Sequence, residues 1–445
     1  MTNINSNYKI GMISLGCPKN QVDGEMMLAK LNDAGFQIVS EIAESDNMII
    51  NTCGFIDAAK QEAIDTILEV AEYKKAGVIT AIVVTGCLAE RYQDEIINEM
   101  PEVDAVVGIG ANSDIVKICQ KVLIGLSTSV YPNKCFLPLD DKRLLSTPKH
   151  WAYLKIADGC DNRCSYCAIP GIRGAFRSRK PESIIKEAKE LAAGGVKEII
   201  LIAQDTTKYG YDLFGEYRLD ALLKELVKID GIEWIRLFYC YPQRITDSLI
   251  DVIASEDKIC NYIDIPLQHA SESVLKAMNR VGTADDYKRL LSDMRAKIDG
   301  LSLRTTFMVG FPGETDEDFE ELCDFVSDVK FDKMGCFTFS PEEDTPAFDM
   351  ENQLDEDVKI HRQEILMNLQ YSVTEQANKS RVGKVYKVIV DDFDGEKYTG
   401  RSYLDSPEID SGIIFTSDTK INIGDFVNVK VTDFNGYDLI GVRAD

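Results

Sequence analysis

The sequence predicts an α/β multidomain chain with an N-terminal open α/β sheet, a central partial (β/α)6 barrel and a small C-terminal β-barrel. Three observations carry this expectation. Strand and helix patterns alternate from Tyr8 to about residue 124, six further strand-helix repeats run from Trp151, and alternating strand runs joined by Gly and Asp turns begin after about residue 376.

The first segment reads YKIGMISLG, the helical VDGEMMLAKLNDAG, NMIINT, a second helix and AIVVTG. Short apolar strands alternating with helices imply a parallel sheet. Periodicity then fades and Pro132, Pro138 and Pro148 appear, as expected of a connecting stretch. In the centre the strand candidates are WAYLKIA, KEIILIAQ, EWIRLFYC, NYIDIPL, LSLRTTFMVG and KMGCFTFS. The helix ESIIKEAKELAA should close at Gly194-Gly195, because glycine tolerates the backbone of a helix C-terminus. Six repeats, not eight, leave the barrel incomplete, with its working loops at the C-terminal ends of the strands. At the C-terminus the runs KVYKVIVDDF, GIIFTS and FVNVKVTDF suit a small β-barrel. The expected boundaries are 8–124 for the first domain, 125–145 for a linker, 146–375 for the barrel and 378–445 for the last domain.

Hydrophobic residues form 45% and charged residues 28% of the 445, as in an ordinary soluble protein. No apolar run is long enough to span a bilayer, and MTNINSNYKI resembles neither a signal peptide nor an anchor, so a cytoplasmic protein without membrane partners is expected. A net charge of -25 opposes nonspecific attraction to nucleic acid and suits a basic partner. Twelve cysteines in a reducing compartment point to metal binding, catalysis or burial rather than to disulfides. Only three histidines, His150, His269 and His361, are available for other metal or hydrolase chemistry.

Cysteine spacing separates these roles. GCDNRCSYC places Cys160, Cys164 and Cys167 in a C-x3-C-x2-C arrangement directly after the first barrel strand. A closed zinc site wants four ligands, whereas three thiolates suit an iron-sulfur cluster whose fourth iron stays open to a ligand. Cys17, Cys53 and Cys87 end the runs ISLGC, IINTC and VVTGC. The C-terminal ends of parallel strands share one edge, where ligand sites gather, so these three thiolates can converge on a second cluster; separate burial is the alternative. Cys119, Cys135, Cys240, Cys260, Cys323 and Cys336 show no such grouping and are expected to be buried. The loop GIRGAFRSRK offers Arg173, Arg177, Arg179 and Lys180 to an anionic substrate group or to solvent, and GFPGE at 310–314 reads as a strand-to-helix turn, not a phosphate loop.

The C-x3-C-x2-C spacing is similar to the signature of the radical S-adenosylmethionine superfamily. By that resemblance the open iron chelates the amino and carboxylate groups of S-adenosylmethionine. By the same resemblance Tyr166 occupies the aromatic or apolar position beside the adenine, a core tyrosine being the alternative. Gln204, within Ala203-Gln204-Asp205, stands by position alone where the superfamily contacts the methionine amino group, the usual Gly-Gly-Glu triplet being absent. Gln268 and Arg304 are further cofactor-binding candidates at strand ends, with a structural hydrogen-bonding role as the alternative for each. Together with SLGCPKN, NTCGFI, IPLQHAS, SPEEDTPA and GRSYLDSPEID, these motifs make the whole chain resemble the methylthiotransferases. Their three parts are a cysteine-rich N-terminal domain, a partial radical barrel and a C-terminal TRAM domain.

Within that family the motifs look like the branch acting on a ribosomal protein, not the tRNA branch. DGE at 23–25 replaces the more usual DSE. The resemblance implies insertion of a methylthio group at the β-carbon of an aspartate in the twelfth small-subunit ribosomal protein. It implies two 4Fe-4S clusters as cofactors, with S-adenosylmethionine as radical source and methyl donor. The barrel cluster yields a 5′-deoxyadenosyl radical, the other holds the sulfur, and no catalytic side chain is assigned beyond the cluster ligands. An electron donor such as flavodoxin or ferredoxin is the further implied partner. A tRNA adenosine methylthiotransferase and a noncatalytic two-cluster electron carrier are the alternatives. Residues 377–445 hold nine basic and twelve acidic residues, an unfavourable balance for RNA. The run Asp391, Asp392, Asp394 and Glu396 is either a face for a basic protein or a solvated turn.

Overall fold

The computed structural model of the chain describes residues 4–444. The head of the polar N-terminal stretch and Asp445, the last residue expected in the C-terminal barrel, lie outside the described residues. The chain forms two compact units. One comprises Met1–Thr147, Lys155–Arg179 and Ser340–Phe348; the other comprises Pro148–Leu154, Lys180–Phe339 and Asp349–Asp445.

In the first unit six strands are parallel: β1 (Lys9–Ser14), β2 (Gln37–Val39), β3 (Asn47–Thr52), β4 (Ala81–Gly86), β5 (Ala105–Val107) and β6 (Thr128–Val130). They lie in the order β2-β1-β3-β4-β5-β6. The fully buried NMIINT and AIVVTG form the centre, because a sheet covered on both faces needs apolar side chains on both. Helices Pro18–Asp33 and Ile115–Val122 cover one face through Met27, Leu31, Ile115 and Ile118. Helix Asp57–Lys75 covers the other through Ala63, Ile67 and Val70.

Three of these strands, β2, β5 and β6, have only three residues each, too few to show a period of two. β6 falls inside the stretch 125–145 read from sequence as a linker. Pairing with β5, from Ala105↔Thr128 to Val107↔Val130, makes it the sheet's edge instead.

The chain then forms β7 (Trp151–Lys155), and the first unit resumes with β8 (Ala157–Asp158), which pairs antiparallel with β9 (Arg177–Ser178). This two-rung ladder closes the segment containing Cys160, Cys164 and Cys167.

In the second unit β10 (Glu198–Ile202), β11 (Trp234–Leu237), β12 (Ile259–Gln268), β13 (Ser302–Val309) and β14 (Lys333–Thr338) join β7 in a six-stranded open sheet. Its order, β14-β13-β12-β11-β10-β7, is simply sequential. These are the six expected strands of the partial (β/α)6 barrel. Helix Pro181–Ala193 ends at Gly194, with Gly195 at φ +99°, as the Gly-Gly pair requires. Glu314 accepts hydrogen bonds from the Gly310 and Phe311 amides at 2.7 and 3.1 Å, so GFPGE is a turn into helix Asp316–Val329.

A 26-residue helix, Glu356–Arg381, runs across the boundary expected near 375–378. It leads to a closed barrel of β15 (Val385–Phe393), β16 (Tyr398–Arg401), β17 (Ile413–Thr416), β18 (Phe426–Asn435) and β19 (Asp438–Ala444), ordered β15-β16-β17-β19-β18. Val388, Val390, Ile413, Phe415, Val429 and Val431 fill it. Among the described residues no helix is long and apolar enough to cross a membrane.

Candidate cysteine centres

The order β2-β1-β3-β4-β5 reverses direction at the β1/β3 pair, and open α/β sheets bind ligands beyond the C-terminal strand ends at such a reversal. Cys17 follows β1, Cys53 follows β3 and Cys87 follows the adjacent β4. Two glycines make room there. Gly16 has φ +85°, and a Cβ on it would stand 2.5 Å from Cys53 Cβ; Gly86 has φ +93°, and a Cβ on it would stand 2.4 Å from the Thr52 carbonyl.

Asn20 and Asn51 fasten these strand ends to one another. The Asn20 amide donates to the Leu15 carbonyl at 2.9 Å and to the Asn51 and Thr52 carbonyls at 3.2 Å. The Asn51 amide donates back to the Asn20 carbonyl at 2.7 Å and to Ser14 Oγ at 3.0 Å. The motif asparagines therefore satisfy backbone carbonyls that the loops would otherwise bury without partners.

Cys53 and Cys87 are buried and Cys17 is half-buried. Desolvation pushes the Cys87 thiol up to about 12 despite Arg173, with the charges of Cys17 and Cys53 adding to the rise. It also raises Cys53, again with a contribution from Cys17. At Cys17 desolvation is outweighed by Lys19, Arg173 and the Asn20 and Lys19 amides, so that thiol is lowered. The three sulfurs thus share one electrostatic environment.

A buried ion cluster lies beside them. Arg173 donates to Asp23 Oδ2 at 2.9 Å and to Asp158 Oδ2 at 2.8 Å, while its other terminal nitrogen lies 3.6 Å from Cys87 Sγ. Lys155 binds both carboxylates as well, at 3.0 Å in the case of Asp158. Although Asp158 is desolvated, Arg173 and Lys155 hold it well below the usual carboxylate range.

The second cysteine set occupies the loop closed by β8 and β9. Gly159, at φ +78°, lets the strands pinch, since a Cβ there would meet the Ala175 carbonyl. The Cys160 amide donates to the Gly174 carbonyl at 3.0 Å, and the Cys167 amide donates to the Cys164 carbonyl at 3.1 Å. All three cysteines are half-buried, and Tyr166 is buried. In the second unit Gln204 lies two residues beyond the end of β10, and Gln268 ends β12 with a left-handed φ of +75°. Arg304, in β13, pairs with Asp264 at 2.9 Å and Asp410 at 3.6 Å, so its guanidinium is engaged within the protein.

Several expectations change. Arg173 and Arg179 are 1% and 3% exposed, not solvated, because Asp23 and Asp158 bind the first and Asp140 the second. Arg177 donates to the Cys135 carbonyl. Of the six remaining cysteines Cys119, Cys240, Cys260 and Cys336 are buried; Cys323 is half-buried and Cys135 exposed, the latter on the loop beside Asn133.

Residues of SPEEDTPA also enter the first unit. Arg91, on the helix that begins at Cys87, pairs with Glu342 at 2.7 Å, and Lys60 pairs with the same carboxylate at 3.1 Å. Tyr92 donates to Glu343 at 2.6 Å, and the Ala347 amide donates to the Ser165 carbonyl at 2.8 Å. Sequence spacing gives no sign of these partners. Arg91 keeps the Gly54 and Glu343 carbonyls in E342Q but loses, with Lys60, the shared counter-charge, so the variant should cost about 3 kcal/mol of stability. A lowered urea midpoint of the iron-free chain measures this, and an unchanged midpoint would remove Glu342 from the fold's supports.

The donor set fits iron-sulfur clusters. Each set offers three sulfurs, and the carboxylates Asp23 and Asp158 are taken up by cations. Among the described residues no three His, Cys, Asp or Glu side chains close tightly enough to grip a single ion. A cubane is wider than an ion and needs its thiolates farther apart.

The chain is also similar to known proteins over nearly its whole length. Residues 154–326 match the radical SAM superfamily, 9–108 match Uncharacterized protein family UPF0004, and 382–443 match the TRAM domain. The chain is 49% identical to the ribosomal protein uS12 methylthiotransferase RimO of Clostridioides difficile, over 97% of this chain and 98% of that relative. It is 50% identical to the protein of the same name from Desulforamulus reducens, over 98% and 99%. Among solved structures, the radical S-adenosylmethionine methyltransferase TsrM from Kitasatospora setae, with cobalamin and a [4Fe-4S] cluster bound, is similar in fold. Its TM-score is 0.58 at 15% identity, covering 76% of this chain and 77% of that one.

Proposed function

Because the chain belongs to the family of ribosomal protein uS12 methylthiotransferases named RimO, we propose that it transfers a methylthio group to ribosomal protein uS12 by radical S-adenosylmethionine chemistry. What supports carrying this reading to particular residues is that Cys17, Cys53 and Cys87, beyond three strand ends, and Cys160, Cys164 and Cys167, in one loop, are free thiols of one compact unit. The acceptor is the β-carbon of an aspartate, whose C-H bond no general base on this chain could break. Two 4Fe-4S clusters and S-adenosylmethionine, when bound, supply the one-electron chemistry that does so.

The chain's own residues position and enclose. Asn20 and Asn51 hold the ends of β1 and β3 together, while the β8/β9 ladder and the Gly174 carbonyl shape the second loop. Tyr166, Gln204 and Gln268 are the proposed S-adenosylmethionine contacts. Arg304, the third residue of β13 and not at its C-terminal end as expected, is tied to Asp264 and Asp410 and supports the sheet from within. One-electron delivery calls for a reductant of the flavodoxin or ferredoxin class, and the reaction belongs in the cytoplasm, where uS12 is made.

Capture of a basic protein is favoured by the chain's negative charge. Of the acidic run in the C-terminal barrel, Asp392, Asp394 and Glu396 are exposed, but Asp391 is committed to the fold. It pairs with His150 at 2.7 Å and with Arg401 at 2.8 Å. Despite desolvation, these partners hold its carboxyl below the usual range. Asp394 accepts from the Glu396 and Lys397 amides, which makes it a turn residue.

Reconstituted protein incubated with S-adenosylmethionine, a strong reductant and uS12 should add one methylthio group to the ribosomal protein. D392K/E396K should slow capture several-fold at low salt without changing S-adenosylmethionine cleavage, because steering by opposite charges acts on association. Methylthiolation of a tRNA adenosine in place of uS12 would overturn the substrate reading.

A further inference from the structure

Arg173 is the one member of the buried ion cluster that also faces sulfur. It is 1% exposed, and Lys155, which shares both of its carboxylates, is fully buried. Two cations and two anions balance, so the cluster is neutral when complete. Its outward side is polarised, because one terminal nitrogen of Arg173 binds Asp23 and Asp158 while the other lies 3.5 Å from Asn20 Oδ1 and 3.6 Å from Cys87 Sγ. Only a planar fork with several donors serves carboxylates and a sulfur at once; a lysine ammonium carries the charge but not the geometry.

The position of Arg173 in the chain adds a second link. It ends the short helix Ile169–Arg173, and the carbonyl of the next residue, Gly174, receives the Cys160 amide. One residue therefore touches the first cysteine set with its side chain while its neighbour holds the second.

We propose that Arg173 is a positioning residue that sets the reduction potential of the group held by Cys17, Cys53 and Cys87. The inference rests on the reading of those thiols as cluster ligands. Reduction adds an electron to an already anionic assembly. A guanidinium in a dry site stabilises the reduced form more than the oxidised one, and the opposing carboxylates limit how far it does so. Removing the arginine must then lower the potential, and removing one carboxylate must raise it. Loss of packing alone does not produce opposite signs.

The test uses the full-length chain carrying C160A, C164A and C167A, so that only the first set can hold a cluster, with iron content and spectroscopically monitored midpoint potential as readouts. In that background R173Q should lower the potential by about 59 mV, a tenfold change in the reduction equilibrium of a one-electron couple. D23N should raise it, and R173K, which keeps the charge but not the fork, should recover only part of the parent value. Should R173Q fail to assemble a cluster, the sign of the D23N shift decides alone. A D23N potential at or below the parent's, or an unmoved R173Q potential at full iron content, overturns the inference. A parent that binds no iron instead overturns the assignment of the three thiols, leaving the two failures distinguishable.

Discussion

Full-length protein with Cys160, Cys164 and Cys167 all changed to alanine should keep about half the iron of the unaltered chain and release no 5′-deoxyadenosine from S-adenosylmethionine under strong reduction. The loop should survive the change. Its shape comes from the β8/β9 ladder, the left-handed Gly159 and the Cys160 amide bonded to Gly174, none of which needs a thiol. Radical production should therefore fall to background without general unfolding, which the urea transition of the iron-free protein would verify. Full iron content in this variant would end the assignment of the loop as a cluster site.

The complementary variant, with Cys17, Cys53 and Cys87 changed to alanine, should also lose about half the iron yet still release 5′-deoxyadenosine, while methylthiolated uS12 falls below detection. Removing one sulfur at each of three strand ends costs little packing, because Asn20, Asn51 and the Asp23-Arg173-Asp158 contacts continue to hold the surroundings. The two activities separate because each thiol set hangs on its own backbone: β1, β3 and β4 for one, the β8/β9 loop for the other. Methylthiolated product at the unaltered rate would refute this division of labour.

How much of this was legible in the sequence differs by residue. Cys17, Cys53 and Cys87 stand out because each ends a strand-like run, and for Cys53 and Cys87 that run is six buried residues, the mark of a central parallel strand. The pairing that makes them neighbours, β1-β3-β4, follows from the strand order, which periodicity does not report. Arg173 shows the opposite case. In a run with Arg177, Arg179 and Lys180 it looks like a solvated charge, and its burial rests on Asp158 together with Asp23, the latter 150 residues earlier. β6 was hidden because three residues cannot display alternation and because Pro132 stands two residues beyond it. Gln204 and Gln268 were placed at strand ends by pattern alone, but the left-handed backbone of Gln268 has no sequence signal, since it is not a glycine.

The seating of 340–348 against the helix Cys87–Tyr92 sets an order of events during synthesis. Arg91 and Glu342 are 251 residues apart, so the sheet that presents Cys17, Cys53 and Cys87 leaves the ribosome long before the segment that completes its unit. A nascent chain halted short of Ser340 displays all six candidate ligands with Arg91 and Lys60 still lacking their common carboxylate. Contacts so distant along the chain form late, because loop-closure entropy must be met before they contribute. Iron delivered to the nascent chain would therefore meet a half-finished host, and delivery after release meets the finished one. The span from Arg91 to Glu342 thus puts completion of this unit after about three quarters of the chain has been made.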